Sequence, residues 1–307
     1  MFNFYFKKMN NVKTSFSIRD LENLSGIKAH TIRIWEKRYN LLEPERTDTN
    51  IRNYSLASLQ KLLNITLLYN NGYKISKIAS IAEEEIPQVV QQIISKNSIK
   101  HHSFNSFKMA MVNFDAVLFN ETYHNLIKES SFTSVFYDVF IPFLNELGLL
   151  WQSDAASPSH EHFITNLIKQ KIILNTELLQ TKTITNEDKT FVLFLPENEI
   201  HDIGLLYLNY ELTHKGYKTI YLGPTLPISC LKELLSYDNN LYFISYFTVE
   251  PNKDRLLNYI ESFNEEMGTE SDFSLWLLGY QVQFLIPEQL PKNMRAFKSI
   301  ENLLSEI

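Results

Sequence analysis

Apolar and polar positions alternate along the chain in three successive styles. In SIRDLENLSGIKAHTIRIWEKRYNLL the apolar residues recur at helical spacing, with Ser17 and Asp20 three apart as a capping pair, a break at Gly26, and a second run carrying Ile32, Ile34 and Trp35 as an apolar seam. Two short helices joined by a turn are predicted. A polar hairpin, EPERTDTNIRNYS, follows, and then a helix from about Leu56 through Asn70 that stops at Gly72. From 81 to 108 the pattern predicts a helix with Pro87 near its start and then a polar stretch, KNSIKHHSFNS, poor in apolar residues. Between 109 and 181 three- and four-residue spacing dominates, as in Phe136, Phe140, Phe143, Leu144 and Leu147, which predicts a helical bundle. After TITNEDK the style changes again, to short apolar runs (FVLFLP, TIYLG, YFISYF, LWLLGY) separated by helical stretches near 202–215, 229–236 and 252–266. Strands alternating with helices predict a parallel, doubly wound α/β sheet.

At 307 residues the chain exceeds what one core organises, and the three styles divide it. An N-terminal extension covers 1–14, a basic module 15–83, a linker helix and polar linker 84–108, a four-helix-bundle cap 109–185, and an α/β domain 186–307. Charge sharpens this division. Residues 1–80 hold 13 Lys and Arg against 6 Asp and Glu, and the rest holds 16 against 29. A basic module on an acidic body is the footprint of a domain that touches a polyanion. The single cysteine, Cys230, cannot form an internal disulfide and implies a reducing compartment. No run approaches about 18 apolar residues, so the expectation is a cytoplasmic protein that does not engage a membrane.

The basic module has the form of a helix-turn-helix. Its second helix presents His30, Thr31, Arg33, Lys37 and Arg38 around the seam, free to enter a major groove, and the hairpin holds Arg46, Arg52 and Tyr54. These residues resemble the winged-helix DNA-binding domain of the MerR family of transcription regulators. In that family the second helix runs His-Thr, Arg, Trp-Glu, Arg-Tyr and is followed by Leu-x-Pro, an arginine and a wing ending Arg-x-Tyr. Here those positions are His30-Thr31, Arg33, Trp35-Glu36, Arg38-Tyr39, Leu42-Glu43-Pro44, Arg46 and Arg52-Asn53-Tyr54. Lys28-Ala29 replaces the usual Ser-Pro start of the second helix. The resemblance places His30, Thr31 and Arg33 at the groove and Arg52 and Tyr54 on phosphates. Trp35 is expected in the core, and Lys37 and Arg38 on phosphates.

Two stretches of the body carry candidate chemistry. In LLWQSDAASPSHEHF, Trp151 is followed after nine residues by Glu161-His162 at a helix start. In FLPENEIHDIGLLYLNYELTHKGYKTIYLG a strand leads into Glu199-x-His201-x-x-Gly204, and glycines recur at 216 and 223. A histidine at the carboxyl end of a first parallel strand lies where such sheets bind ligands. Neutral imidazole suits a late transition metal, and a nearby carboxylate, Glu199 or in its place Asp202, can fix the tautomer. His101, His102, His124 and His214 are read as surface residues, and no Gly-x-Gly-x-x-Gly dinucleotide loop occurs.

Together these stretches resemble the cobalamin-binding regulators of the CarH, CarA and LitR group, which join a MerR domain to a helical cap and a Rossmann-like (flavodoxin-like) cobalamin domain. The resemblance makes His201 the lower ligand of the cobalt and sets Trp151, Glu161 and His162 over the upper face, around the adenosyl group of adenosylcobalamin. It gives Ser245 and Gly279 roles beside the nucleotide tail. Two departures stand out. Light-sensing members carry a second histidine after the tryptophan where this chain has Gln152, and Gly279 is followed by Tyr280 where a Gly-Gly pair is usual.

The function so implied is a non-enzymatic, sequence-specific transcription regulator, a repressor, that binds a double-stranded operator as a homo-oligomer, dimer or tetramer. Its body would sense cobalamin and set oligomerisation and DNA affinity. One alternative is a regulator of the same fold that is independent of cobalamin and answers to a protein partner such as an antirepressor. Another is a corrinoid enzyme or methyl carrier, against which the DNA-binding module argues.

Overall fold

The computed structural model describes residues 15–46, 51–86, 89–90, 99–152, 157–237, 240–268 and 273–307. The chain forms two compact units, Met1–Ile168 and Lys169–Ile307.

The first unit opens with β1 (Ser15–Ser17), α1 (Ile18–Ser25) and α2 (Ala29–Tyr39). Ser17 accepts the amide of Asp20 while the Asp20 carboxylate accepts the amide of Ser17, a reciprocal cap worth about 1 kcal/mol. β2 (Glu45–Arg46) and β3 (Arg52–Ser55) complete a three-stranded antiparallel sheet in the order β1-β3-β2. Then come α3 (Leu56–Asn70), capped by Ser55, and the short α4 (Ile75–Ile78). Phe16, Leu21, Leu24, Ile32, Leu59, Leu62 and Leu63 are buried as the core of this head.

The helical part consists of α5 (Ile99–Asn113), α6 (Ala116–Glu129), α7 (Phe132–Val135) running through a π-helical turn at Phe136–Phe140 into α8 (Ile141–Gln152), and α9 (Pro158–Gln180). Phe107 is its hub, with the rings of Phe119, Phe140 and Phe143 at 4.9, 5.8 and 5.8 Å. Here the structure departs from the sequence reading: α5 begins inside the stretch expected to be linker. Its inward face is Ser103, Phe107, Ala110 and Met111 at helical spacing, so a buried serine and an alanine lower the apolar density that would have marked the helix. The division between units also falls inside α9 rather than after it.

The second unit is a five-stranded, all-parallel sheet in the order β5-β4-β6-β7-β8, the flavodoxin-like arrangement. The elements run β4 (Asn186–Phe194), α10 (Ile203–His214), β5 (Tyr217–Gly223), β6 (Leu241–Tyr246), α11 (Leu256–Met267), β7 (Phe273–Leu278), β8 (Met294–Ala296) and α12 (Ile300–Leu304). The period-2 alternation of β4 sends Val192 and Phe194 to one face, where they meet the stripe Leu256, Ile260, Phe263 and Met267 of α11. Two expectations change, and one strand, β8, was not foreseen from the pattern. The helix near 229–236 is a 3-10 helix, Ile228–Ser236. α10, expected to be amphipathic, buries every residue from Leu205 to Leu212, and its Glu211 is satisfied by the Tyr207 hydroxyl. β8 carries no alternation that a three-residue edge strand could display.

Candidate functional site

Residues with candidate chemistry lie in both units. In the head, α1 ends at Gly26 in the left-handed region (φ 74°), and α2 begins at Lys28 without a side-chain cap of its own. The orphan Ala29 amide is instead taken by Glu22 of α1 at 3.1 Å, and the same carboxylate pairs with Lys28 at 3.1 Å. The Lys28 hydrogen bond, with that of the Ala29 amide, holds the Glu22 carboxyl below its usual range. A carboxylate at the start of α2 also suits the helix dipole.

On α2, Ile32 and Trp35 are buried, and Trp35 meets Tyr69 edge-on at 5.2 Å. Ile34 is 46% exposed, which corrects the expected seam: two residues after Ile32 a helix has turned by more than half a circle. His30, Arg33, Lys37 and Arg38 are exposed and Thr31 is half-buried, so the expected groove-facing residues share a solvent face with an apolar residue among them. Arg46 is exposed on β2, while the hairpin tip at 47–50 lies outside the described residues.

Tyr54 departs most from expectation. It is 1% exposed, and its hydroxyl donates to Glu36, so it is a core residue and not a phosphate contact. Burial, reinforced by the Glu36 hydrogen bond, raises its pKa. Arg52 also donates to Glu36, through Nε at 3.2 Å. Glu36 thereby fastens the wing to α2. It was visible in the sequence only as the second letter of Trp-Glu, and nothing in its spacing announced an anchoring role.

In the second unit, the loop between β4 and α10 places Glu199 and His201 at the carboxyl end of the sheet. Asn198, at φ 66°, turns the chain inward and Glu199 is fully buried. Its Oε1 accepts the amides of Ile200 and His201, both at 2.9 Å, and lies 2.5 Å from His201 Nδ1. Its Oε2 accepts the amides of Thr248, Val249 and Glu250 at 3.1, 2.6 and 2.8 Å from the loop after β6. Burial alone would raise the pKa of this carboxyl. The His201 imidazole and the amides of Glu250, Val249 and His201 outweigh it and hold the group at about 2. An ionised carboxylate can only accept, so the imidazole proton sits on Nδ1 and the lone pair of the neutral ring is on Nε2. The His201 side chain is 43% exposed.

Asp202, weighed as a substitute for Glu199, is engaged elsewhere, in an ion pair with Lys169 at 2.5 Å. Gly204 opens α10 against Tyr246, whose ring would stand 2.7 Å from any Cβ added there. Gly279 (φ 99°) faces the Phe247 carbonyl oxygen, 2.4 Å from a Cβ, so no larger residue fits. Ser245 is fully buried and its hydroxyl has no partner among the described residues. Tyr280 is 64% exposed and turned towards Phe284. With Tyr246, Gly279 and Phe297 it borders a cavity of about 590 Å³.

Of the upper-face candidates, Glu161 and His162 lie in the first turn of α9 with side chains 39% and 66% exposed. The side chains of Trp151 and Gln152 lie outside the described ones. The sequence reading passed over His160, which is buried, stacks on Phe114 at 4.8 Å and bonds Ser157 through Nδ1 at 3.1 Å. Burial lowers its pKa.

Comparison with known proteins gives this chain relatives. Residues 16–85 match the family described as MerR HTH family regulatory protein, and residues 104–174 match the one described as B12 binding domain. The HTH-type transcriptional repressor CarH of Myxococcus xanthus is 22% identical over 219 residues, which are 69% of this chain and 72% of that protein. The repressor CarA of the same organism is 23% identical over 217 residues, 70% of each chain. The HTH-type transcriptional regulator MlrA of Escherichia coli is 31% identical over 70 residues, 23% of this chain and 29% of its own. The structure of the monomethylamine corrinoid protein of Methanosarcina barkeri superposes with a TM-score of 0.55 at 12% identity, covering 68% of this chain and all of that one. That likeness is one of fold. No helix among the described residues is long and apolar enough to cross a membrane.

Proposed function

We propose that this chain, a MerR-family regulator with a cobalamin-binding domain, is a one-component transcription repressor whose grip on an operator is set by cobalamin through its oligomeric state. The observation that carries the reading is the His201 imidazole, its Nδ1 held 2.5 Å from the buried Glu199 carboxylate, in the same chain as an exposed basic helix face.

The residues present fit the cofactor. A single histidine suits a metal that brings its other ligands in a macrocycle, and the Ser245 hydroxyl, without a partner among the described residues, is a buried polar atom suited to a polar group of the ligand. His201 would hold the cofactor through Nε2, Glu199 would keep the ring in that tautomer, and Gly204 and Gly279 would let the Tyr246 ring and the Phe247 backbone pack close beside the site. When bound, cobalamin would supply a cobalt centre able to exchange a ligand. Trp151, Glu161 and His162 are proposed for its upper face, with adenosylcobalamin as the form taken. No catalytic residue is proposed.

At the DNA, His30, Thr31 and Arg33 would read base edges in paired major grooves of an inverted repeat, and Lys37, Arg38, Arg46 and Arg52 would bind phosphates. The protein is proposed to act in the cytoplasm. A second reading, a regulator of this fold that is independent of cobalamin and answers to an antirepressor protein, has one observation in its favour: the Tyr246 ring already fills the space beside Gly204.

The test is equilibrium binding of adenosylcobalamin and hydroxocobalamin to the full chain, read by visible absorption, beside operator gel shifts. The expected result is one corrinoid per chain, with His201→Ala losing more affinity than the roughly tenfold loss of Glu199→Gln. Operator binding without corrinoid uptake would favour the second reading.

A further inference from the structure

The proposed function leaves unexplained a buried lysine at the seam between the DNA-binding head and the helical bundle. Lys108, on α5, is 6% exposed. A buried ammonium is costly unless each proton finds an acceptor. Two acceptors are in place: the Leu24 carbonyl of α1 at 3.1 Å and the Glu146 carboxylate of α8 at 2.6 Å.

The first of these lies at a helix end. Leu24 is the penultimate residue of α1, so its carbonyl is among the last four, which have no partner within the helix. The negative end of a helix dipole favours a cation, and α1 has no basic residue in its own last turn. Lys108 brings that cation from another element, two residues before the Gly26 turn that aims α2. The second acceptor lies on the helix that ends at Trp151 and Gln152, about 7.5 Å along the axis from Glu146. One ammonium thus touches the turn of the DNA-reading motif and the helix proposed to end over the cofactor. A second polar bridge joins the same parts, from the Gln60 amide of α3 to Asn113, the last residue of α5.

We infer that Lys108 is a positioning residue that clamps the helix-turn-helix to the bundle, so that the orientation of α2 is dictated by α8. The clamp itself stands on these contacts alone. Its use in relaying a cofactor signal rests on the proposed function. A shift of α8 moves the Glu146 carboxylate, the ammonium must follow or lose a charged partner, and either outcome alters the hold on the Leu24 carbonyl.

The experiment uses the full chain in a Cys230→Ser background, with spin labels at Ala57→Cys on α3 and Glu121→Cys on α6, both exposed. Pulsed dipolar spectroscopy should give one narrow head-to-bundle distance with Lys108 present and a broadened or multiple distribution in Lys108→Met. Glu146→Gln, which keeps a hydrogen-bond acceptor but removes the charge, should fold normally and broaden the distribution less. Unaltered distributions in both variants overturn the clamp. Operator affinity measured with and without adenosylcobalamin should differ about five- to tenfold in the parent, and that ratio should fall to near one in Glu146→Gln. A parent that ignores adenosylcobalamin counts against the cofactor reading, while the distance measurement still decides the clamp.

Discussion

Glu36 and Glu199 are both largely withdrawn from water, and each holds two segments together, yet they are satisfied differently. Glu36 is held by side chains, the Arg52 guanidinium and the Tyr54 hydroxyl, sixteen and eighteen residues away. Glu199 is held by five backbone amides from two loops and one imidazole. Side-chain anchorage can be lost one residue at a time, so the wing is adjustable by substitution. Backbone anchorage cannot be removed from the donor side by any substitution short of proline. The loop that presents His201 is therefore rigid wherever its carboxylate is intact, which suits a group that must meet a metal, while the wing can be retuned to another operator.

The sharpest way to break this contrast is to remove the carboxylates. Glu199→Gln turns an amide NH2 toward amides that need an acceptor, and should cost about 3–5 kcal/mol of the second unit's stability in urea unfolding. The same group predicts an acid response. Its carboxyl titrates near 2 in the folded chain against 4.5 ordinarily, so its stabilisation is complete above pH 4.5 and lost as the pH falls towards 2. About 3 kcal/mol should disappear across that window, and Glu199→Gln should flatten the curve. Glu36→Gln should have a smaller effect, about 1–2 kcal/mol on the head by thermal unfolding, with weaker operator binding as the wing loosens. Stability should change by about 1 kcal/mol in Arg52→Ala, which takes one partner from Glu36, and least, by under about 0.5 kcal/mol, in Arg33→Ala. These two should differ at the DNA: gel shifts at several salt concentrations should show Arg52→Ala weakening all sequences alike and Arg33→Ala also relaxing base preference.

How legible these features were in the sequence follows from how local their causes are. The cap at Ser17 and the four longer strands rest on neighbours in the chain, and capping spacing and apolar runs revealed them. Glu199 and His201 stood out because their partnership spans two residues. Tyr54 and Glu36 did not, because a tyrosine's exposure depends on which element folds over it, and here α2 does. The start of α5 was hidden by Ser103, a buried polar residue that reads as linker until its surroundings are known. Lys108, in a stretch read as polar linker, finds its acceptors 38 and 84 residues away.

The π-helical turn at Phe136–Phe140 bears on how this chain can tolerate change in length. A π turn is a helix carrying one residue more than its neighbours need, and here it lies between Val135 and Phe143, both facing the same core. Removing one residue inside the turn would let it relax to ordinary helix with the flanking faces kept in register. The same deletion a turn later, after Phe143, would swing Leu147 by about 100° out of the core. The segment is thus a store of slack in an otherwise register-locked helix, a place where the gene could shed a codon without re-aiming the end of α8.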